Sequence, residues 1–264
     1  MDFTPEIVGH RGAALLEPEN TLAAFRRGVA DGAAAIECDV HLSRDGHVVV
    51  MHDETIDRTA APHSPRRRGA IADLTRAELD EVLLPGDQRV PSLAEFLDVA
   101  TAGTPELGPA GVLVEVKAPE AAREVARQLR ERFGASPEPL RGGTPPAVVI
   151  SFHPEALAAV REEAPEIPIG YLVNFSGGAT ERILRELRAE RLCMSIRGAD
   201  RADAQLAARA GASFHVWTVN TAKQITKALA AGAASITTDD PAWAASEVAW
   251  QRENLSIRVA TLAP

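Results

Sequence analysis

The chain has 264 residues, 45% of them hydrophobic and 25% charged, with a net charge of −9. That is an ordinary globular balance, with length enough to bury a full core in one large domain or two small ones. A sequence pI of about 5.3 gives no electrostatic footprint for nucleic acid or an anionic membrane surface, although it leaves room for a local basic site for a small anion.

The start, MDFTPEIVGHRG, lacks a basic region followed by an apolar one, so no secretory signal is expected. No apolar run approaches the roughly 18 residues of a spanning helix. Cys38 and Cys193 are not in a CxxC pair, which argues against a disulfide framework or a structural zinc site. A cytoplasmic protein without a membrane span is the expectation.

Short apolar runs mark strands at 6–10, 34–40, 47–52, 111–117, 147–152, 167–173, 191–196, 214–219 and 235–239. Segments of helical periodicity lie at 21–30, 92–101, 119–133, 154–164, 179–189, 201–210, 221–231 and 241–250. Such alternation predicts βα units and a parallel sheet. The second and third strands are joined only by a turn, and a parallel crossover needs a dozen or more residues, so these two are antiparallel. Eight strands then remain for a TIM (β/α)8 barrel in about 250 residues, with an open doubly wound sheet as the rival. Residues 54–91 hold PHSPRRRG, LPGDQRVP and one weak helix at 75–83, and read as a small insertion on the rim. Residues 134–146 read as a surface loop. The expectation is therefore one barrel domain over 1–264 with a hairpin arm and an insertion at about 54–91.

The first strand ends in His10-Arg11-Gly12, a cation beside a flexible backbone, which suits an anionic ligand. Asn20 reads as the N-cap of a helix beginning at Thr21. The second strand carries Glu37 and Asp39 on one face, because side chains alternate along a strand. Asp45-Gly46 is a two-residue hairpin signal, and that register sets His52 opposite Asp39. The strand GVLVEVK adds Glu115 and Lys117 to one inward row, where unpaired charge is costly.

Strand ends share one face of a barrel, and active sites lie there. Three carboxylates at that face would repel and raise one another's pKa values. A hard divalent cation resolves this, and oxygen-only ligands point to Mg²⁺ or Ca²⁺ rather than zinc, with Mn²⁺ as a further candidate. Arg11 and Lys117 then attract a phosphate, and His10 and His52 supply acid and base near neutral pH. Such parts describe metal-assisted phosphodiester cleavage.

The motifs HRG (10–12), PENT (18–21), ECD (37–39), HD (52–53) and EVK (115–117) stand in one order along the chain. With VPSLAEFL (90–97), ISFHPEAL (150–157), VWTVN (216–220) and TTDDP (237–241), the chain resembles the glycerophosphodiester phosphodiesterase family over nearly its whole length. The resemblance implies a TIM barrel of the phospholipase-C-like phosphodiesterase type, with a small insertion after the HD motif. It implies Glu37, Asp39 and Glu115 as metal ligands and His10 and His52 as the general acid/base pair. It further implies Arg11 and Lys117 as phosphate contacts, Trp217 as an aromatic at the pocket mouth, and Asn20 and Asp53 as supporting residues. The family often has Asp where His153 stands and a second Thr where Ala60 stands. His41, His47, His63 and His215 match no motif and read as surface or packing residues.

The implied activity is hydrolysis of small-molecule glycerophosphodiesters, such as deacylated phospholipids, to sn-glycerol 3-phosphate and an alcohol. The rivals are a lysophospholipase-D-like or broad phosphodiesterase with the same site, and a catalytically idle glycerophosphodiester-binding protein. The identity of the leaving alcohol, the roles of the two histidines, the choice between water and the glycerol 2-hydroxyl as nucleophile, and the oligomeric state are left open by the sequence.

Overall fold

The computed structural model describes residues 4–134, 138–140 and 143–262, with side chains to residue 254. Eight parallel strands form a closed ring: β1 (Glu6–Gly9), β2 (Ala35–Leu42), β6 (Gly111–Val116), β7 (Ala147–Ser151), β8 (Ile169–Val173), β9 (Arg191–Ser195), β10 (Ser213–Trp217) and β11 (Ser235–Thr238). Neighbours follow chain order around the ring, and β1 closes it by pairing with both β2 and β11. This is a TIM barrel. The rival open sheet is excluded by that closure.

These strands are buried on both faces, so apolar residues run almost continuously and the two faces sort by parity. Val112, Val114 and Val116 point outward into the layer beneath the helices, while Leu113 points into the lumen beside Val8, Ala35, Ile150 and Leu172. The same parity sends Cys38 outward and leaves Glu37 and Asp39 facing inward.

Helices cover the ring: α1 (Leu22–Ala30), α3 (Leu93–Ala102), α4 (Ala122–Phe133), α5 (Pro154–Glu163), α6 (Thr180–Leu187), α7 (Arg201–Ala210), α8 (Ala222–Ala231) and α9 (Pro241–Leu262). Among the described residues no helix is long and apolar enough to cross a membrane.

Residues 54–91 build a small layer beside the barrel. It holds α2 (Arg76–Leu79), started by a Thr75/Glu78 capping box, and a short hairpin of β4 (Leu83–Leu84) and β5 (Gln88–Arg89). The sequence did not reveal that hairpin, since two-residue strands carry no periodicity. Ile56, Ile71, Leu74, Leu79, Val82, Leu84 and Val90 from this layer form an apolar cluster with Val49 and Met51 from the hairpin arm.

β3 (Val48–Val50) runs antiparallel to β2, as expected, but the register differs by one residue. Val40 pairs with Val50 and Leu42 with Val48, so Met51 rather than His52 lies opposite Asp39. The loop has three residues, not two: Ser43 N donates to His47 O at 2.9 Å and Gly46 N donates to Ser43 O at 3.0 Å. A two-residue Asp-Gly turn needs positive φ at both positions. Here only Gly46, at φ +83°, takes it. The Ser43 hydroxyl favours the longer loop, donating to Asp45 Oδ1 and accepting from His47 N. Continued strictly, this register would turn His52 away from the carboxylates. β3 ends at Val50, however, and the chain bends over 52–54, which brings His52 back to the barrel mouth.

Candidate active site

Glu37, Asp39 and Glu115 converge inside the C-terminal mouth. Asp39 stands directly across from Glu115 in the parallel β2–β6 register, and one oxygen from each of the three carboxylates lies within 4.8 Å of the others. Glu37 and Asp39 are almost fully buried. Burial first, and then the charges of Asp39 and Glu115, push Glu37 well above the usual carboxylate range. Burial and the Asp39 charge carry Glu115 up to about 7.

Such crowding is unfavourable for three anions alone, and it fits a cation. Oxygens bound to one Mg²⁺ or Ca²⁺ ion lie at most about 4–5 Å apart, a spacing comparable with that of these carboxylate oxygens. These three residues could hold a divalent ion.

Lys117 follows directly on the strand. Its ammonium donates to Glu115 Oε1 at 2.9 Å and to His52 Nε2 at 3.2 Å, and stands 3.6 Å from Asp39 Oδ1. Burial works against its charge, yet Glu115 and Asp39 outweigh that and raise its pKa.

Both histidines are backed by a carboxylate. His52 Nδ1 donates to Asp53 Oδ1 at 2.7 Å, and His10 Nδ1 donates to Asp239 Oδ1 at 2.6 Å. Each contact fixes the tautomer with a proton on Nδ1 and leaves Nε2 as the basic ring nitrogen, which in His52 accepts from Lys117 Nζ. Burial lowers the His52 pKa, which favours the neutral ring. Asp239 is itself fixed by Asn220, whose amide donates to its carboxylate and whose Oδ1 accepts from Asp239 N.

Arg11 is held by its backbone and its side chain. At φ +50° its N–H donates to Glu37 Oε2 at 2.8 Å, and Nη1 donates to Glu19 Oε1 at 2.8 Å. Nε forms an ion pair with Asp39 Oδ2 at 3.3 Å without hydrogen-bond geometry. Gly12 permits this loop: at φ +90° its Cβ position falls 2.4 Å from the Ala24 carbonyl carbon, so any side chain would collide with α1.

Asn20 does not cap the helix. Thr21 does, its hydroxyl accepting from Ala24 N. Asn20 sits one residue earlier at φ +57°, a conformation that Asn tolerates and that aims its amide at β2. Nδ2 donates to Asp39 Oδ2 at 2.8 Å, and Oδ1 accepts from Asp39 N at 3.3 Å. Its contact is with a carboxylate of the cluster rather than with a helix end.

Trp217 closes β10 and meets Phe152 edge to face, with ring centroids 5.6 Å apart. Together with Leu113, Ile150 and Leu172 they line a cavity of about 200 Å³ that reaches His10, Arg11, Glu37, His52, Glu115 and Lys117. Among the described residues the Trp217 indole N–H is buried without an acceptor. A wider groove leads outward past His41, Asp53, Glu54, Thr55 and His153.

All ten expected residues therefore lie at the mouth or directly behind it. The sequence reading passed over four others. Asp239 lay in the quoted TTDDP and Glu19 in PENT, both motif positions to which no role was given. His41, read as surface or packing, places Nε2 3.2 Å from the His52 carbonyl. Arg58 donates to both Asp53 and Glu19. No local pattern marks the last two, because their partners are set by the bend after β3. His47 and His63 are surface residues, and His215 is a packing residue held between Ser213 and Ser235.

The sequence profile of the glycerophosphoryl diester phosphodiesterase family matches residues 10–243. A glycerophosphodiester phosphodiesterase of Caldanaerobacter subterraneus is 29% identical over 260 residues, covering 89% of this chain and 94% of the relative. A phosphodiesterase structure from Oleispira antarctica, in complex with the product sn-glycerol-3-phosphate, is 25% identical, with a TM-score of 0.78 over 93% of this chain and 97% of that one. A Silicibacter pomeroyi structure, 23% identical, shares the fold with a TM-score of 0.82 over 95% of each chain.

Proposed function

This chain belongs to the glycerophosphoryl diester phosphodiesterase family, a family of hydrolases, and from that premise we propose that it cleaves glycerophosphodiesters to sn-glycerol 3-phosphate and an alcohol, with a divalent cation held by Glu37, Asp39 and Glu115. The observation that carries the reading is the convergence of these carboxylates with two carboxylate-backed histidines and two cations at one barrel mouth. The product bound by the Oleispira relative supports the same product here. Deacylated phospholipids are the substrate class, which places the reaction in glycerophospholipid breakdown.

Oxygen-only ligation favours Mg²⁺ or Ca²⁺, with Mn²⁺ next. Such an ion supplies Lewis-acid charge to a phosphoryl oxygen. Arg11 and Lys117 bind the remaining phosphate charge, and Trp217 offers its ring to the substrate body. His52, neutral and with Nδ1 committed to Asp53, accepts the proton of the attacking hydroxyl at Nε2 once the substrate phosphate draws Lys117 Nζ away from that nitrogen. His10, as an imidazolium with its Nδ1–H held by Asp239, delivers the Nε2 proton to the leaving alkoxide. Asn20 and Asp53 hold Asp39 and His52 in place.

The matched span and the single closed ring support one domain over 1–264 with an insertion at about 54–91. Both cysteines are free and buried, which agrees with a reducing, cytoplasmic setting.

A second reading, toward lysophospholipids, draws on Leu15, Leu16 and Phe175. These exposed apolar residues lie on loops after β1 and β8 at the mouth. The test is product analysis by ³¹P NMR. Glycerophosphocholine should give glycerol 3-phosphate, whereas phosphocholine would mean cleavage of the other ester bond. A clear preference for lysophosphatidylcholine over glycerophosphocholine would favour the second reading.

A further inference from the structure

Arg58 lies outside the groups assigned to the chemistry, on the segment that follows the HD pair. Its guanidinium nevertheless spans two parts of the site. Nε donates to Asp53 Oδ2 at 2.6 Å and Nη2 donates to Asp53 Oδ1 at 3.1 Å. Nη1 donates to Glu19 Oε2 at 2.9 Å, while Nη2 also donates to Glu19 Oε1 at 2.7 Å. Both carboxylates are gripped by two parallel bonds, the geometry that only a planar fork provides.

Each carboxylate has a second partner inside the mouth. Asp53 accepts from His52 Nδ1, and Glu19 accepts from Arg11 Nη1. One unbroken chain of charge-assisted bonds therefore runs from His52 through Asp53, Arg58 and Glu19 to Arg11. Arg11 in turn meets Glu37 through its backbone and Asp39 through Nε. The carboxylate charges persist at neutral pH. Hydrogen bonding from Arg58 first, and from His52 next, holds Asp53 low. Glu19 is lowered against its burial by Arg58 and Arg11.

A lone half-exposed ion pair contributes little, and Arg58 is half exposed. The arrangement here differs, because both arms end on groups whose aim matters for chemistry. His52 comes from the bend after β3 and Arg11 from the loop after β1. No backbone pairing joins 52–58 to 10–20 among the described residues, so the side chain of Arg58 bridges the two loops.

We propose that Arg58 is a positioning residue that sets the distance between the proton-transfer group His52 and the phosphate contact Arg11. The proposal rests on the hydrolase reading above. A misplacement of about 1 Å far from the chemistry can cost 10²-fold in rate, so loss of the fork is expected to matter although Arg58 touches no substrate.

The test compares Arg58→Met, which keeps the apolar stem, with Arg58→Lys, which keeps the charge but cannot fork to two carboxylates. In both, kcat/KM on glycerophosphocholine should fall by roughly 10–100-fold. The fall should be mainly in kcat, with divalent-ion affinity unchanged. In a Glu19→Gln/Asp53→Asn background the same change should cost less than about twofold, because both arms are already cut. Proton NMR gives a readout independent of turnover. The downfield Nδ1–H signal of His52 should move in Arg58→Met, while that of His10 on Asp239 stays in place and certifies the fold. If Arg58→Met does not fold, Arg58→Lys carries both measurements. The proposal is overturned if kcat/KM stays within twofold of wild type, if the loss is equally large in the double-variant background, or if the His52 signal is unmoved. A wild-type protein inert toward every glycerophosphodiester would contradict the hydrolase reading instead, and the His52 signal would still decide the role of Arg58.

Discussion

Replacing Glu115 by Gln should stabilise the metal-free protein and abolish its response to divalent ions. The side chain is nearly enclosed, faces Asp39 across the β2–β6 register, and has its carboxyl carried from an ordinary 4.5 to about 7, chiefly by burial and then by Asp39. At about 1.4 kcal/mol for each tenfold change in proton affinity, keeping Glu115 ionised costs on the order of 3 kcal/mol above pH 7. Gln removes that charge and can still accept from Lys117 Nζ. For a chain of this size about 1 kcal/mol shifts Tm by ~2–4 °C, so metal-free Glu115→Gln should melt roughly 5–10 °C above wild type at pH 8.

The direction with pH follows from linkage. Between the unfolded value near 4.5 and the folded value near 7, the folded state holds more protons than the unfolded state. Metal-free wild type therefore loses stability as pH rises through that window, and the variant's advantage should fade by pH 5. Adding Mg²⁺ or Ca²⁺ at 100 times Kd should stabilise wild type by about 2.7 kcal/mol and leave Glu115→Gln almost unmoved. Differential scanning fluorimetry at both pH values, with and without ion, reads all of this. A variant less stable than metal-free wild type at pH 8, or one whose advantage persists at pH 5, would refute the reasoning.

Further outcomes follow from the same geometry. His10→Ala and His52→Ala each remove a proton-transfer group and not an ion ligand, so kcat should fall by about 10²–10⁴-fold while calorimetric ion affinity stays near wild type. Lys117→Ala should weaken substrate binding most, read as a rise in KM, with a fall in kcat to the extent that the ammonium contacts charge that develops only in the transition state. His215, enclosed between Ser213 and Ser235, is pushed well below its ordinary pKa by burial and by Arg191. The unfolded chain takes up a proton near pH ~6.5 that the folded chain refuses. Stability is therefore complete above that pH and declines below it by up to about 1.4 kcal/mol per pH unit. The Glu115 contribution runs the other way over the same window and is shared by both proteins, so the readout is the difference: in urea melts from pH 7.5 to 5, wild type should lose stability relative to His215→Gln as pH falls below about 6.5.

The barrel was legible because its strands are apolar on both faces and its helices periodic, so boundaries fell within a few residues of those observed, except that the last helix, expected over 241–250, runs on to Leu262. The inward row at Glu37, Asp39 and Glu115 was legible because parity along a strand is rigid. The hairpin register was not. Ser43 and Gly46 made a three-residue loop from the same letters that spell a two-residue one, and His52 reaches the site through a bend rather than through cross-strand pairing. Asn20 and Thr21 competed for one cap, and only the left-handed backbone at Asn20 decided between them. Asp239, Glu19, His41 and Arg58 act through contacts 5 to 229 residues apart in sequence, made between loops where periodicity carries no information.

The most direct test of the account is turnover by protein stripped with chelator and refilled with Mg²⁺, Ca²⁺ or Mn²⁺, against a panel of glycerophosphodiesters, with glycerol 3-phosphate release as the readout. The account predicts no release from stripped protein, recovery with at least one of these ions, and no recovery in the Glu37→Gln variant under the same conditions. Full activity in the stripped protein, or none with any ion on any member of the panel, would contradict it.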